Sequence, residues 1–202
     1  ETHLWVGDVF GASDSQKLFK IAIPTALPMI FTGQKNEFAD YIKIDDYEAG
    51  RIMGNYFKEK GHRNVVFAGV TEEDKAVGVE RKSGFIDAFT ENNPESSVDF
   101  IETGFSFEKS YEMAKEMMKF SPTGIVCATD NICLGILRYL HENNIKVPDE
   151  ISLAGFGGYD VGSVLYPTLT TVAFNYDLVG VNTAQGILDL IEGKKLDKHN
   201  NV

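Results

Sequence analysis

Apolar residues recur along this chain in two alternating rhythms. Short runs at 28–32, 41–44, 65–68, 100–102, 124–128, 151–155 and 170–174 read as strands, separated by longer stretches in which apolar positions return every three to four residues. Within 47–60, Ala49, Ile52, Met53, Tyr56 and Phe57 share one face of an amphipathic helix, which Gly61 closes as a C-cap. The same spacing predicts helices at 79–92, 107–119, 131–143 and 178–192, the second burying Tyr111, Ala114, Met117 and Met118. Alternation of short strands and helices predicts an α/β fold, a parallel sheet covered by helices on both faces. No internal repeat or low-complexity segment breaks the alternation, and the polar tail 193–202 is expected to fray.

Composition narrows the function classes. With 202 residues, 43% of them hydrophobic, the chain can bury one large core or two smaller ones. Nineteen Lys and Arg against 30 Asp and Glu give a net charge of -11, which repels phosphate backbones, so these residues alone are not expected to bind DNA. Cys127 and Cys133 are too few for a disulfide framework and read as inert core thiols, suited to a reducing cytosol. No apolar run approaches the roughly 20 residues that cross a bilayer, and Glu1 does not open a signal peptide. His3, His62, His141 and His199 are scattered without metal-ligand spacing and read as surface or turn residues. There is no G-x-S-x-G elbow and no Cys/His pair at a strand end, so no enzyme is expected. A dinucleotide loop also fails: after Gly155 and Gly157 the third glycine position holds Asp160, and Pro167 follows instead of a helix. No cofactor and no metal are expected.

The chemistry concentrates where strands end. The strand at 124–128 delivers Asp130 to the mouth of a helix, and the neighbouring strand at 151–155 runs into a glycine-rich loop. Two parallel strands thus aim a carboxylate and a flexible loop into one crevice, where open α/β sheets bind ligands. By itself, Asp130 also suits a helix N-cap. Arg81, early in a helix within G-V-E-R-K-S-G-F, reads either as a solvated side chain or as a forked donor for adjacent hydroxyls or a phosphate. Lys75 lies in the loop E-E-D-K-A-V-G. Phe105 follows the strand at 100–102, with Phe107 as the competing aromatic, and either ring can offer a flat apolar face or simply pack in the core. In I-D-D-Y-E-A-G, Asp45 can cap the following helix and Glu48 can be a first-turn acid. Phe174 and Tyr176 come just after the strand at 170–174.

Taken together, T-D-N-I-C-L-G around Asp130, R-x-x-G-F at Arg81, Gly84 and Phe85, and the run 124–171 resemble the effector domain of the lactose-repressor (LacI/GalR) family of sugar-responsive transcription regulators. The resemblance implies a type I periplasmic-binding-protein-like fold of two parallel-sheet lobes joined by a hinge. Residues 45–171 would form the C-terminal effector-binding lobe, and 1–44 with 172–202 an incomplete N-terminal lobe, with the helix-turn-helix headpiece absent. It further implies ligand contacts from Asp130 and Arg81, a cation at Lys75 for an anionic effector, stacking by Phe105, and cleft-lining roles for Glu48, Phe174 and Tyr176. The loop G-F-G-G-Y-D departs from the family's G-F/Y-D-D/N and resembles regulators of sucrose and related disaccharide operons. The function implied is that of a cytoplasmic, homodimeric repressor's sensing domain. A saccharide or sugar phosphate would bind between lobes and control operator binding allosterically through the missing headpiece, with no membrane partner. Two alternatives on the same fold are an extracytoplasmic sugar-binding protein of a transporter and a regulator answering a phosphorylated carrier protein.

Overall fold

The computed structural model describes residues 30–32, 40–194 and 200–201. Pro28 and Met29 of the first expected strand, most of the tail, His3 and His199 lie outside the described residues. In chain order the elements are β1 (Ile30–Thr32), β2 (Asp40–Lys43), α1 (Asp46–Glu59), β3 (Asn64–Gly69), a π-helical segment (Lys75–Arg81) and α2 (Lys82–Thr90). There follow β4 (Ser97–Glu102), α3 (Phe107–Met117) with a 3-10 turn (Met118–Phe120), β5 (Gly124–Cys127) and α4 (Asp130–Glu142). The last are β6 (Ser152–Gly157), the short α5 (Val161–Val164), β7 (Thr170–Ala173), α6 (Tyr176–Ile191) and β8 (Asn200–Asn201).

The chain divides into two compact units, Glu1–Asp45 with Asn175–Val202, and Asp46–Phe174. In the first, β1, β2 and β8 form a parallel sheet in that order, and α6 packs on β1 and β2. In the second, five parallel strands run in the order β4-β3-β5-β6-β7. Right-handed crossovers then fix the helices. The connection from β3 to β4 moves one way across the sheet, whereas β4 to β5 and β5 to β6 move the other way, so α2 covers one face and α3 and α4 the opposite one. Packing agrees: α1 lies against α2, and α3 against α4.

The central strands are apolar because both their faces are covered. All four residues of β5 and the last five of both β3 and β6 are buried. On the α1/α2 face, Phe57, Phe67, Phe85 and Phe89 make one aromatic cluster, with Phe85 stacked on Phe89 at 5.4 Å and 12°. Each of these rings, at most 2% exposed, contributes about 1.5–3 kcal/mol by burial.

The boundaries expected from periodicity hold to within a few residues, and Gly61 does adopt the left-handed conformation of a C-cap, at φ +85. The helix faces differ from expectation. The buried stripe of α1 is Asp46, Ala49, Gly50, Met53, Gly54 and Phe57, while Ile52 and Tyr56 are 51% and 41% exposed. A Cβ on Gly50 would stand 2.2 Å from the Arg81 carbonyl oxygen. The partner helix therefore presses on bare backbone, and the seam runs along the glycines rather than through the larger apolar side chains. On α3 the buried residues are Ser110, Ala114 and Met117; Met118, in the 3-10 turn that follows, packs partly buried against the core, and Tyr111 does not. Tyr111 instead donates to Glu142 and stacks edge-on against Tyr139. The helix expected at 79–92 begins four residues earlier, as the π-helical segment, and α5 was not expected at all.

Candidate functional site

At the carboxyl ends of β5, β6 and β7 a buried cluster forms around Arg81. The side chain is 5% exposed, which corrects the reading of a solvated arginine. Its Nε donates to Asp46 Oδ1 at 3.0 Å, its Nη2 donates to the same oxygen, and its Nη1 donates to the Ala128 carbonyl at the end of β5. The guanidinium carbon lies 5.0 Å from the ring centroid of Phe156 on β6 and 5.0 Å from that of Phe174 after β7. Cation, carboxylate and two π faces compensate one another, which is the condition for a charge to persist in a dry site.

Local structure explains the placement. Asp74 caps the π-helical segment by accepting from the Val77 amide at 2.9 Å, and the wide turns that follow bring Arg81 to the junction with α2. Gly50 admits that junction against α1, so the first residue of α1, Asp46, meets the guanidinium. Only 2% of Asp46 is exposed.

Asp130 is wholly buried. It is not the N-cap of α4: that position is Thr129, extended at φ -146 and ψ 158, and Asp130 is the first helical residue. Its carboxylate reaches across the sheet, where Oδ1 accepts from the Thr171 hydroxyl at 2.7 Å and Oδ2 from the Tyr159 amide at 3.0 Å. Asp130 thus latches the glycine loop after β6 to β7, while its charge faces the positive end of the helix dipole. Between Ala128 and Asp130, the Thr129 hydroxyl is buried without a hydrogen-bond partner among the described residues. Such a group is costly unless something outside the chain satisfies it.

The remaining expected residues fall around this crest. Phe174 is in the cluster, through its contact with Arg81. Lys75 opens the π-helical segment after β3, exposed, with its ammonium donating to the Glu72 carbonyl at 2.9 Å. Phe105, 55% exposed, stands on the loop after β4 with Ser106 capping α3 behind it. Glu48 points elsewhere: two residues on from Asp46 is more than half a helical turn, and Glu48 lies exposed with Arg51 Nε 3.7 Å away. The carboxylate that α1 supplies is Asp46, a residue that sequence reasoning passed over. Its signal was phase, since 46, 50, 53 and 57 fall on one stripe.

The two thiols sit beneath the crest, both buried. Burial pushes the Cys133 thiol up, helped by the hydrogen bond it donates to Cys127. Among the described residues no group of three His, Cys, Asp or Glu side chains is placed to hold a metal ion, and no helix is long and apolar enough to cross a membrane.

The family model for the periplasmic binding protein-like domain matches residues 55–202. The sucrose operon repressor of Staphylococcus xylosus is 29% identical over 174 residues, 85% of this chain and 53% of that protein. The HTH-type transcriptional repressor PurR of Histophilus somni (strain 2336) is 30% identical over 174 residues, 83% of this chain and 52% of the relative. Among solved structures, a LacI family transcriptional regulator from Enterococcus faecium with bound ribose aligns with a TM-score of 0.74 at 25% identity, covering 82% of this chain and 62% of that one. The chain spans about half the length of the curated relatives it matches, and these are repressors rather than enzymes. With its parallel α/β architecture and the crest just described, the chain belongs to the periplasmic binding protein-like domain family, in the form carried by LacI-family transcription regulators.

Proposed function

We propose that this chain is the effector-sensing part of a sugar-responsive transcriptional repressor, and that a saccharide or sugar phosphate binds at the crest of the five-stranded sheet. One observation carries the reading: Arg81, Asp130 and the unpartnered Thr129 hydroxyl converge at the carboxyl ends of β5 to β7. Three of the five guanidinium hydrogens are engaged, leaving one on each terminal nitrogen for a ligand oxygen. Phe105 on the rim supplies a flat apolar face, and Lys75 a point charge suited to a phosphoryl group. Two relatives, a sucrose operon repressor and a regulator holding ribose, support the ligand class.

Effector binding acts on operator affinity by population shift: the ligand changes the balance between two arrangements of the protein to the extent that it prefers one of them. Operator contact belongs to a headpiece that the proposal assigns outside these residues, in keeping with the net charge of -11. The repressor works in the cytoplasm as a homodimer. A shallow cavity of 430 Å³ bordered by Leu134, Leu137, Val161, Leu165 and Tyr166 supplies an apolar patch for the two-fold contact, with Val164 and Tyr166 beside it 80% and 91% exposed.

Isothermal titration of the chain against free mono- and disaccharides, their 6-phosphates and a set of nucleobases tests the proposal. A saccharide or sugar phosphate binding with a dissociation constant of about 1 mM or tighter, weakened by Thr129→Val, supports it. Silence across all sugars, or binding of a nucleobase alone, overturns it.

A further inference from the structure

The five-stranded sheet carries a second cavity at its other end, 420 Å³ in volume, where the amino-terminal ends of β6 and β7 meet the last turn of α1. Its lining includes Tyr56, Lys60, His62, Pro148, Pro167 and Thr170. Asp130 and the Phe156 and Phe174 rings that hold Arg81 all belong to the opposite end of the same strands, so the two places share no residue. A few hundred Å³ with mostly apolar walls and a few convergent polar groups is the usual form of a small-molecule site.

Its chemistry is specific. Tyr56, which periodicity assigned to the core, is 41% exposed and lines this cavity instead, together with Pro148 and Pro167. Lys60 holds its ammonium 5.3 Å from the Tyr56 ring centroid, and no acidic side chain is among the described lining residues. His62 packs on Phe57 at 4.8 Å, and its Nδ1 lies 2.9 Å from the Thr123 hydroxyl oxygen. That hydroxyl already donates to the Asn64 carbonyl at 3.1 Å, so the imidazole must supply the hydrogen between them. The tautomer is therefore Nδ1–H, assigned from the network, and Nε2 is left as an acceptor. Burial lowers the pKa of His62 below 6.5, which keeps the ring neutral at pH 7.

A cation, a neutral acceptor and flat apolar walls complement one ligand class. We propose that this cavity is a second small-molecule site that takes a planar aromatic carboxylate, with its ring on Tyr56, its carboxylate on Lys60 and a hydroxyl or amino donor on His62 Nε2. The walls suit rings better than saccharides, because Lys60 offers donors only and the described lining residues include no carboxylate to accept from paired hydroxyls. The site stands independently of the crest.

The probe is 4-hydroxybenzoate, titrated into the full chain and followed by saturation-transfer and protein-observed NMR. Binding with a dissociation constant of about 1 mM or tighter is expected for ten heavy atoms. Lys60→Gln, a change at an exposed side chain, should weaken it about tenfold through loss of the charged donor, and Tyr56→Ala should weaken it further. The neutral 4-hydroxybenzamide should bind the unaltered chain no better than 4-hydroxybenzoate binds Lys60→Gln. No binding up to about 10 mM, binding insensitive to both substitutions, or displacement of the probe by whichever sugar occupies the crest would each overturn the proposal.

Discussion

Replacing Arg81 by alanine distinguishes the buried ion pair from the solvated arginine that sequence alone allows. A solvated side chain would contribute little to stability, and its loss would be felt in ligand binding alone. In the structure Arg81 and Asp46 are 5% and 2% exposed, and the guanidinium makes three hydrogen bonds and touches two aromatic rings. Removing it strands the Asp46 carboxylate in a dry site, which costs about 3–5 kcal/mol. Against a total of about 5–15 kcal/mol, that is a large fraction, and the melting temperature should fall by about 10 °C or more. Asp46→Asn should destabilise in the same direction by leaving the cation underpaired. The double variant Asp46→Leu, Arg81→Met, which replaces the pair by apolar groups of similar bulk, should recover most of the loss, because buried pairs return little net energy over hydrophobic isosteres. Urea denaturation followed by circular dichroism measures all four proteins. If Arg81→Ala costs less than about 1 kcal/mol, or the double variant is as unstable as the sum of the singles, the compensated-charge account is wrong.

Three other outcomes are expected. Thr171→Val removes the 2.7 Å bond to buried Asp130 and should cost about 1–3 kcal/mol in urea melts while weakening saccharide binding, whereas Thr171→Ser should restore both. His62 is held below its ordinary 6.5 by burial, so its contribution is full above that pH and is lost as pH falls through the lowered value; the urea midpoint should drop on acidification, and less so in His62→Gln. Tyr166→Glu, at a residue 91% exposed, should leave the fold intact and convert a dimer into a monomer by light scattering; an unchanged mass would move the two-fold contact elsewhere.

The fold was legible because most elements obey their period: the central strands β3, β5 and β6 are apolar runs of four to six residues buried on both faces, and the longer helices carry a stripe every three to four. Less legible was which side of a helix faces inward. Gly50 and Gly54 hold the seam of α1 through the absence of side chains, so a count of apolar residues rotates the face toward Ile52 and Tyr56. The same rotation hid Asp46. Arg81 and Asp130 could be picked out as residues of interest, but not in their local roles. A π-helical segment leaves no mark in a 3.6-residue pattern, and a carboxylate one residue inside a helix looks like a cap until its partners on β7 and on the loop after β6 are seen. The four residues of α5 are too short for periodicity to register.

What the crest offers a ligand follows from what it has already spent. Asp130 uses one lone pair on each oxygen for Tyr159 and Thr171, so it holds the loop and keeps further acceptor capacity. Arg81 is anchored through Nε, Nη1 and Nη2 before any effector arrives, so little side-chain entropy remains to be lost when one binds. Among the described residues, the Thr129 hydroxyl is the only buried side-chain polar group without a hydrogen-bond partner. A guest that satisfies it relieves a cost the unliganded protein bears, and that relief is selective for molecules presenting a hydroxyl or phosphoryl oxygen at that point. Thr129→Val, nearly isosteric and without the orphan group, should therefore leave the free protein as stable or more so while lowering effector affinity. A loss of stability with affinity intact would mean that the hydroxyl serves the fold and not the ligand.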